Sequence, residues 1–229
     1  MKIFSFKTKV VGREDLTPDT ILLKMGCVDG FTFESGQFIT LFIEKDGERK
    51  PRSYSIFSDP KSEGCFDLCI KIVDGGYASD IFANAKVGDE FDCKGPFGHF
   101  KFNKEDSNSK ICMIGTGTGV APLYSMLNDN LGVSSKEFHL IFGVRYVRDL
   151  ILLDELDKMQ KEFSNFTYDI AVSREEFRGK QGRVTTVLPS DCEDTTFYIC
   201  GLKDMVFSVK DLLVSKGVDI KNIKFERYD

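Results

Sequence analysis

The chain has 229 residues, 41% hydrophobic and 29% charged, which is the composition of an ordinary globular protein with room for one large domain or two small ones. Its formal net charge of −5 argues against a general nucleic-acid binder, which carries a basic excess. No apolar run approaches membrane-spanning length, and residues 1–15 lack the apolar core and small-residue cleavage site of a signal peptide. The seven cysteines stand at 27, 65, 69, 93, 112, 192 and 200 with no Cys-x-x-Cys among them. They predict buried, reduced thiols in a cytoplasmic protein and no metal site.

Up to about Phe102 the pattern is short strand after short strand. Residues 3–11, 20–25, 38–43, 52–56, 66–73 and 90–94 are rich in β-branched and aromatic side chains, and Gly-, Asp- and Pro-containing turns separate them. This spacing predicts an antiparallel barrel or sandwich, with a single helix over 77–84. The polar stretch Asn103 to Lys110 reads as a linker, which puts one domain at 1–104 and a second at 105–229. Beyond it strands at 110–114, 137–144, 167–172, 196–200 and 223–225 alternate with helices at 122–128, 151–161 and 205–216. That alternation predicts a parallel sheet flanked by helices.

The second half opens on Ile111 to Pro122, ICMIGTGTGVAP. A buried strand should run into a turn at Gly115, Thr116, Gly117, Thr118 and Gly119, and Ala121-Pro122 should open a helix. Glycines let the backbone pass close to a bulky anion, and a helix start offers unpaired N–H groups and a positive dipole end. Pro122 suits the first turn because its missing N–H has no partner there. Taken alone, the turn reads either as a phosphate seat or as a plain tight turn, because Val120 stands where the usual dinucleotide fingerprint has Gly or Ala.

In the first half Arg52 and Tyr54 share one strand face, and Ser53 and Ser55 the other. An arginine fork can hold a pyrophosphate, and a tyrosine ring can stack on a flat heterocycle. Downstream, Gly76 and Ser79 bracket a glycine turn leading into a helix, a second phosphate seat. Singly, Arg52 reads as well as a surface charge and Tyr54 as ordinary strand packing.

Taken in order, these motifs resemble the ferredoxin–NADP reductase family nearly from end to end. The match runs through Arg52-x-Tyr54-Ser55, Gly76-x-x-Ser79, Gly95-Pro96-Phe97-Gly98, Gly115 to Pro122 and Tyr198-Ile199-Cys200-Gly201. The resemblance implies an FAD-binding barrel followed by an NADP(H)-binding α/β domain. It implies that Arg52 and Ser79 hold the FAD pyrophosphate, that Tyr54 stacks on the isoalloxazine, and that Ser55 hydrogen-bonds near flavin N5. Ser53 and Gly76 complete the implied flavin contacts. Gly115, Thr116, Gly117, Thr118, Gly119 and Gly201 are implied on the NADP side. Cys200 would lie beside nicotinamide C4, with Glu226 at the same reacting centre. Residues Glu226-Arg227-Tyr228 match the family's terminal Glu-x-Tyr, in which the tyrosine covers the flavin. Plant-type members end at that tyrosine, whereas this sequence continues to Asp229. Without the family, Cys200 reads as a small buried strand-end residue.

An arginine near the adenosine ribose suits NADP, whereas a carboxylate suits NAD. Arg145 follows the second strand of this half, Ser173-Arg174 the third, and Arg183 stands further on, with Arg148, Arg178 and Lys180 nearby in sequence. The Ser-Arg pair resembles the family's 2′-phosphate clamp, so NADPH is expected over NADH, although Glu175 and Glu176 follow at once. The leading expectation is a ferredoxin–NADP(+) reductase-type oxidoreductase that passes electrons between NADPH and ferredoxin or flavodoxin through FAD. Lys45, Arg49, Lys50, Lys94 and Lys101 are the candidate docking cations. The alternatives are the reductase component of an oxygenase, a flavin or quinone reductase, and a nucleotide-binding regulatory subunit of a larger redox complex. No nucleic-acid or membrane partner is expected.

Overall fold

The computed structural model describes residues 2–177 and 179–228; Arg178 and Asp229, both noted above, lie outside the described residues. The chain divides into two compact units, the first comprising residues up to Phe102 with Tyr124–Asp129, the second comprising Asn103–Leu123 and the chain from Asn130 onward. Among the described residues no helix is long and apolar enough to cross a membrane.

The first unit is an antiparallel sheet of six strands: β1 (Phe4–Thr17), β2 (Thr20–Gly26), β3 (Phe38–Lys45), β4 (Glu48–Ser55), β5 (Cys65–Lys71) and β6 (Glu90–Phe97). Their order is β4-β3-β6-β1-β2-β5. The sheet curls until its two edges meet at one bridge, Ile56 to Leu68, which makes it the expected barrel. Alternation sets its interior: Ile21, Leu23 and Met25 of β2, Ile39, Leu41 and Ile43 of β3, and Phe66, Leu68 and Ile70 of β5 are all buried. A single helical turn, α1 (Ser79–Ala83), contributes Phe82, whose ring lies 5.4 Å from Tyr54 and 5.5 Å from Phe91.

β1 runs six residues beyond the expected end at Val11. Its pairing with β2 slips between Val10 and Gly12 and again between Asp15 and Thr17. The sequence conceals this extension because Gly12 and the charged run Arg13-Glu14-Asp15 lie on a largely exposed stretch of strand. Strand pairing supplies its backbone partners without apolar alternation to advertise it.

The second unit is a wholly parallel sheet built from β7 (Lys110–Thr116), β8 (Glu137–Val144), β9 (Phe166–Val172), β10 (Lys180–Gln181), β11 (Thr195–Leu202) and β12 (Ile223–Tyr228), in the order β10-β9-β8-β7-β11-β12. The connections carry α2 (Val120–Asn130), α3 (Leu153–Glu162) and α4 (Lys203–Ser215). β7 and β11 are almost wholly buried, as strands covered on both faces must be. Val206, Val209 and Leu213 of α4 share a core with Phe197, Ile199 and Ile223. The polar stretch before β7 is pinned to this unit. The Asn103 N–H donates to the Tyr198 hydroxyl (3.0 Å), Asn108 Nδ2 to Thr196 Oγ1 (2.9 Å), and Lys136 Nζ to the Asp106 carbonyl (2.6 Å).

Candidate nucleotide and flavin sites

In a parallel sheet the side chains at the carboxyl ends of the strands collect along one edge. β7 reaches that edge at Thr116, so Gly115 and Thr116 belong to the strand and not to the expected turn. Gly117–Gly119 form one tight helical turn, and α2 follows at Val120. Pro122 is then the third residue of α2, still within the first turn. Gly117 has φ +54°, a left-handed conformation that disfavours any side chain. Gly119 is required for a different reason: a Cβ there would lie 2.4 Å from the Cys200 carbonyl oxygen. Thr116 is wedged between two neighbouring strand ends. Cβ atoms at Gly143 and Gly201 would come within 3.0 Å of its Cγ2 and 2.5 Å of its Oγ1. Gly143 and Gly201 therefore make room for the Thr116 side chain at the strand ends, and the glycine turn runs from there into the start of α2. This is the form a bound pyrophosphate requires.

Cys200 stands opposite Gly115 on one side and Glu226 on the other. Its thiol is fully buried, and burial first, then the Glu226 charge, push its pKa upward. Tyr228 is held in β12, opposite Leu202, and its hydroxyl donates to the Thr118 carbonyl at 3.4 Å. The terminal tyrosine is thus tied to the glycine turn and is not a frayed tail.

The arginines meet through their backbones. The Arg174 N–H donates to the Arg145 carbonyl at 2.9 Å, and Ser173 donates to the Val144 carbonyl from both its N–H (3.1 Å) and its hydroxyl (3.3 Å). β10, too short to have been expected, pairs with the end of β9 through Lys180 and Gln181 and brings Arg183 to the same edge. Arg145, Ser173, Arg174 and Arg183 are exposed.

In the first unit Arg52 and Tyr54 lie on β4, with the Arg52 guanidinium 5.2 Å from the Tyr77 ring. Burial pushes the Tyr54 phenol up to about 12, against a smaller downward pull from Arg52. Ser53 bonds Thr40 across the strands at 3.1 Å, while Ser55 is buried. The Gly76–Ser79 turn is closed by its own atoms: the Ser79 N–H donates to the Gly76 carbonyl (3.1 Å), and the Ser79 hydroxyl accepts from the Val73 N–H (3.0 Å). A Cβ at Gly76 would lie 2.5 Å from Ser79 Oγ. Tyr77, which sequence reasoning passed over although it sits inside the motif, anchors this turn. Its one hydroxyl proton faces the carbonyls of both Glu48 (2.7 Å) and Lys45 (3.2 Å), the shorter contact being to Glu48. The arrangement fits a flavin nucleotide. Arg52 keeps donors beyond the one spent on the Pro51 carbonyl, Ser79 keeps its hydroxyl proton, and the turn between them is fixed.

The candidate docking cations, by contrast, are mostly matched by carboxylates on the same unit. Lys45 pairs with Asp80 (2.8 Å), Arg49 with Asp92 (2.5 Å), Lys50 with Glu48 (2.5 Å) and Lys101 with Glu34 (2.8 Å). Sequence alone could not show these pairs, because three of the four acids lie 30 or more positions away along the chain.

Residues 7–102 match the family described as "Oxidoreductase FAD-binding domain", and residues 113–211 the one described as "Oxidoreductase NAD-binding domain". Over 239 aligned positions the sequence is 31% identical to Ferredoxin–NADP reductase B of Sorangium cellulosum, covering 98% of each chain. The chain belongs to the ferredoxin–NADP reductase family. As a member of the ferredoxin–NADP reductase family it is an FAD- and NAD(P)-dependent oxidoreductase. It is also 28% identical to the reductase component of propane 2-monooxygenase from Rhodococcus jostii, over 97% of this chain but only 63% of that relative. A solved ferredoxin NADP+ reductase from Neisseria gonorrhoeae, with FAD and NADP bound, superposes with a TM-score of 0.89 at 21% identity. It covers 97% of this chain and 98% of its own, which is a likeness of fold.

Proposed function

We propose that this ferredoxin–NADP reductase family member moves electrons between NADPH and a separate one-electron protein carrier, ferredoxin or flavodoxin, through FAD. Residues 1–104 bind FAD and residues 105–229 bind NADP(H). Bound FAD takes a hydride as an electron pair and releases electrons singly. The protein's part is to hold and orient. Arg52 and Ser79 take the flavin pyrophosphate, with Gly76 leaving room and Ser53 on the same strand. Tyr54 offers its ring to the isoalloxazine, and Ser55 a hydrogen bond near N5. Gly115, Thr116, Gly117, Thr118, Gly119 and Gly201 form the nicotinamide-nucleotide seat, with Cys200 and Glu226 at the reacting centre and Tyr228 as the ring that yields to nicotinamide.

The observation that carries the choice of NADPH is the meeting of Arg145 and Arg174 at neighbouring strand ends, with Ser173 beside them and Arg183 two residues beyond the short strand β10. Guanidinium forks match a phosphate dianion. Replacing Arg174 with Ala should raise KM for NADPH about tenfold or more and leave KM for NADH within about twofold. An equal change in both would refute the assignment.

The second reading, a reductase component for an oxygenase, draws on the propane monooxygenase relative. Stopped-flow bleaching of bound flavin by NADPH and by NADH, followed by reoxidation with ferredoxin, flavodoxin or oxygen, separates the two readings. Fast reoxidation by ferredoxin or flavodoxin supports the first, whereas reoxidation by neither removes it. Flavin lost on gel filtration would point to a free-flavin reductase. Purified protein unable to reduce ferricyanide with NADPH would point to a nucleotide-holding subunit.

A further inference from the structure

Glu175 follows Arg174 directly, and a carboxylate next to a phosphate-binding arginine reads from sequence as a repulsive neighbour. The structure gives it other work. Its Oε1 accepts the backbone N–H of Val147, in the loop that leaves β8. That loop carries Arg145, and its turn is closed at the other end by Asp149, whose carboxylate accepts the Tyr146 N–H at 3.2 Å. One residue before Glu175, the Arg174 N–H donates to the Arg145 carbonyl at 2.9 Å. Two bonds in succession, one backbone to backbone and one through the Glu175 side chain, therefore clamp the loop after β9 to the loop after β8. Arg145, Val147, Arg174 and Glu175 are themselves exposed, so at these residues the two loops are tied by these bonds and not by burial of their side chains. A bond to a charged acceptor is the stronger kind.

We infer that Glu175 is a positioning residue for nucleotide selectivity: by holding Val147 it fixes Arg145 and Arg174 at the separation that a ribose 2′-phosphate bridges. This rests on the NADPH reading above. The carboxylate is occupied by the loop's N–H, so its negative charge is partly turned away from the anion it would otherwise repel. Preorganised donors bind an anion without the ordering cost that mobile side chains incur.

The test is calorimetric titration of the FAD-loaded protein with adenosine 2′,5′-bisphosphate, and with adenosine 5′-monophosphate as the probe lacking the 2′-phosphate. Glu175→Ala should weaken the bisphosphate about five- to tenfold and leave the monophosphate unchanged. Glu175→Gln keeps an oxygen for the Val147 N–H and should stay within about twofold of the parent. Val147→Pro removes the donor at a position where proline is tolerated, and should reproduce Glu175→Ala, with the double variant no weaker than either single one. Tighter bisphosphate binding in Glu175→Ala, or equal behaviour of the Ala and Gln variants, would overturn the inference. Arg174→Ala distinguishes the two levels of the argument. If it leaves the preference for the bisphosphate intact, the NADPH reading itself fails. If it abolishes that preference while Glu175→Ala matches the parent, only the positioning role fails.

Discussion

Cys200 and Glu226 face each other across neighbouring parallel strands, the thiol wholly buried and the carboxylate half-exposed. Burial and that nearby negative charge both favour the neutral thiol. Cys200 should therefore resist alkylation by iodoacetamide up to about pH 9, while the partly exposed Cys27, Cys65 and Cys192 react first. Peptide mapping after timed alkylation reads this directly. Replacing Cys200 with Ser should slow flavin reduction by NADPH about tenfold to a hundredfold with FAD content unchanged, because the defect is one of placement.

Gly119 tests the packing of the glycine turn. An alanine there must push against the Cys200 carbonyl, 2.4 Å from the new Cβ, and the Gly201 Cα at 2.7 Å, both rigid backbone. Gly119→Ala should cost about 1–3 kcal/mol in stability and abolish nucleotide binding. Thermal melting and titration with NADP+ check the two effects separately. A variant that binds normally would show that the turn can shift as a body.

Stability should fall on the alkaline side. Burial raises the thiols of Cys69 and Cys93 from 9.0 to about 12 in the folded chain. Below pH 9 both states keep these protons and stability is full. As pH climbs from 9 toward 12 the unfolded thiols ionise first, and stability drains away. Melting temperatures from pH 7 to 11 should be flat and then decline from about pH 9, and the slope should be shallower in a Cys69→Ala/Cys93→Ala protein measured against its own neutral-pH value.

Lys45, Arg49, Lys50 and Lys101 should contribute little, one at a time, to docking an acidic carrier. Each already neutralises an adjacent exposed carboxylate, so it presents little net positive charge to a partner, and the single charge changed by its loss is screened by salt. Single alanine variants should change the carrier KM by less than about threefold at physiological ionic strength. A larger change for any one of them would identify a pair that opens on docking.

The legible parts of the sequence were those governed by local repetition. Alternation in 38–43 and 66–70 announced barrel strands, and the uniformly apolar 110–114 announced a strand buried on both faces. The glycine-rich run marked the strand-to-helix turn, although not that Gly115 and Thr116 remain in the strand, a matter settled by pairing with β8 and β11. What stayed hidden depends on partners distant in the chain. The extension of β1 is charged because it is exposed. β10 is two residues long and owes its existence to β9. Tyr77 and Glu175 act through bonds to backbone atoms about 30 residues away, which no residue type or spacing encodes.

The barrel's seam has a consequence of its own. Five of its six strand junctions are zipped along most of their length, while the sixth rests on the bridge between Ile56 and Leu68 with the bonds from the Phe57 N–H to the Asp67 carbonyl (2.9 Å) and from the Asp67 N–H to Ser58 Oγ (3.0 Å) beside it, immediately after Ser55. A cylinder laced so loosely along one line can breathe there without melting elsewhere. If FAD lies beside Ser55 as proposed, it serves as the clasp, and amide protons flanking that bridge should exchange with solvent much faster before FAD is added than after.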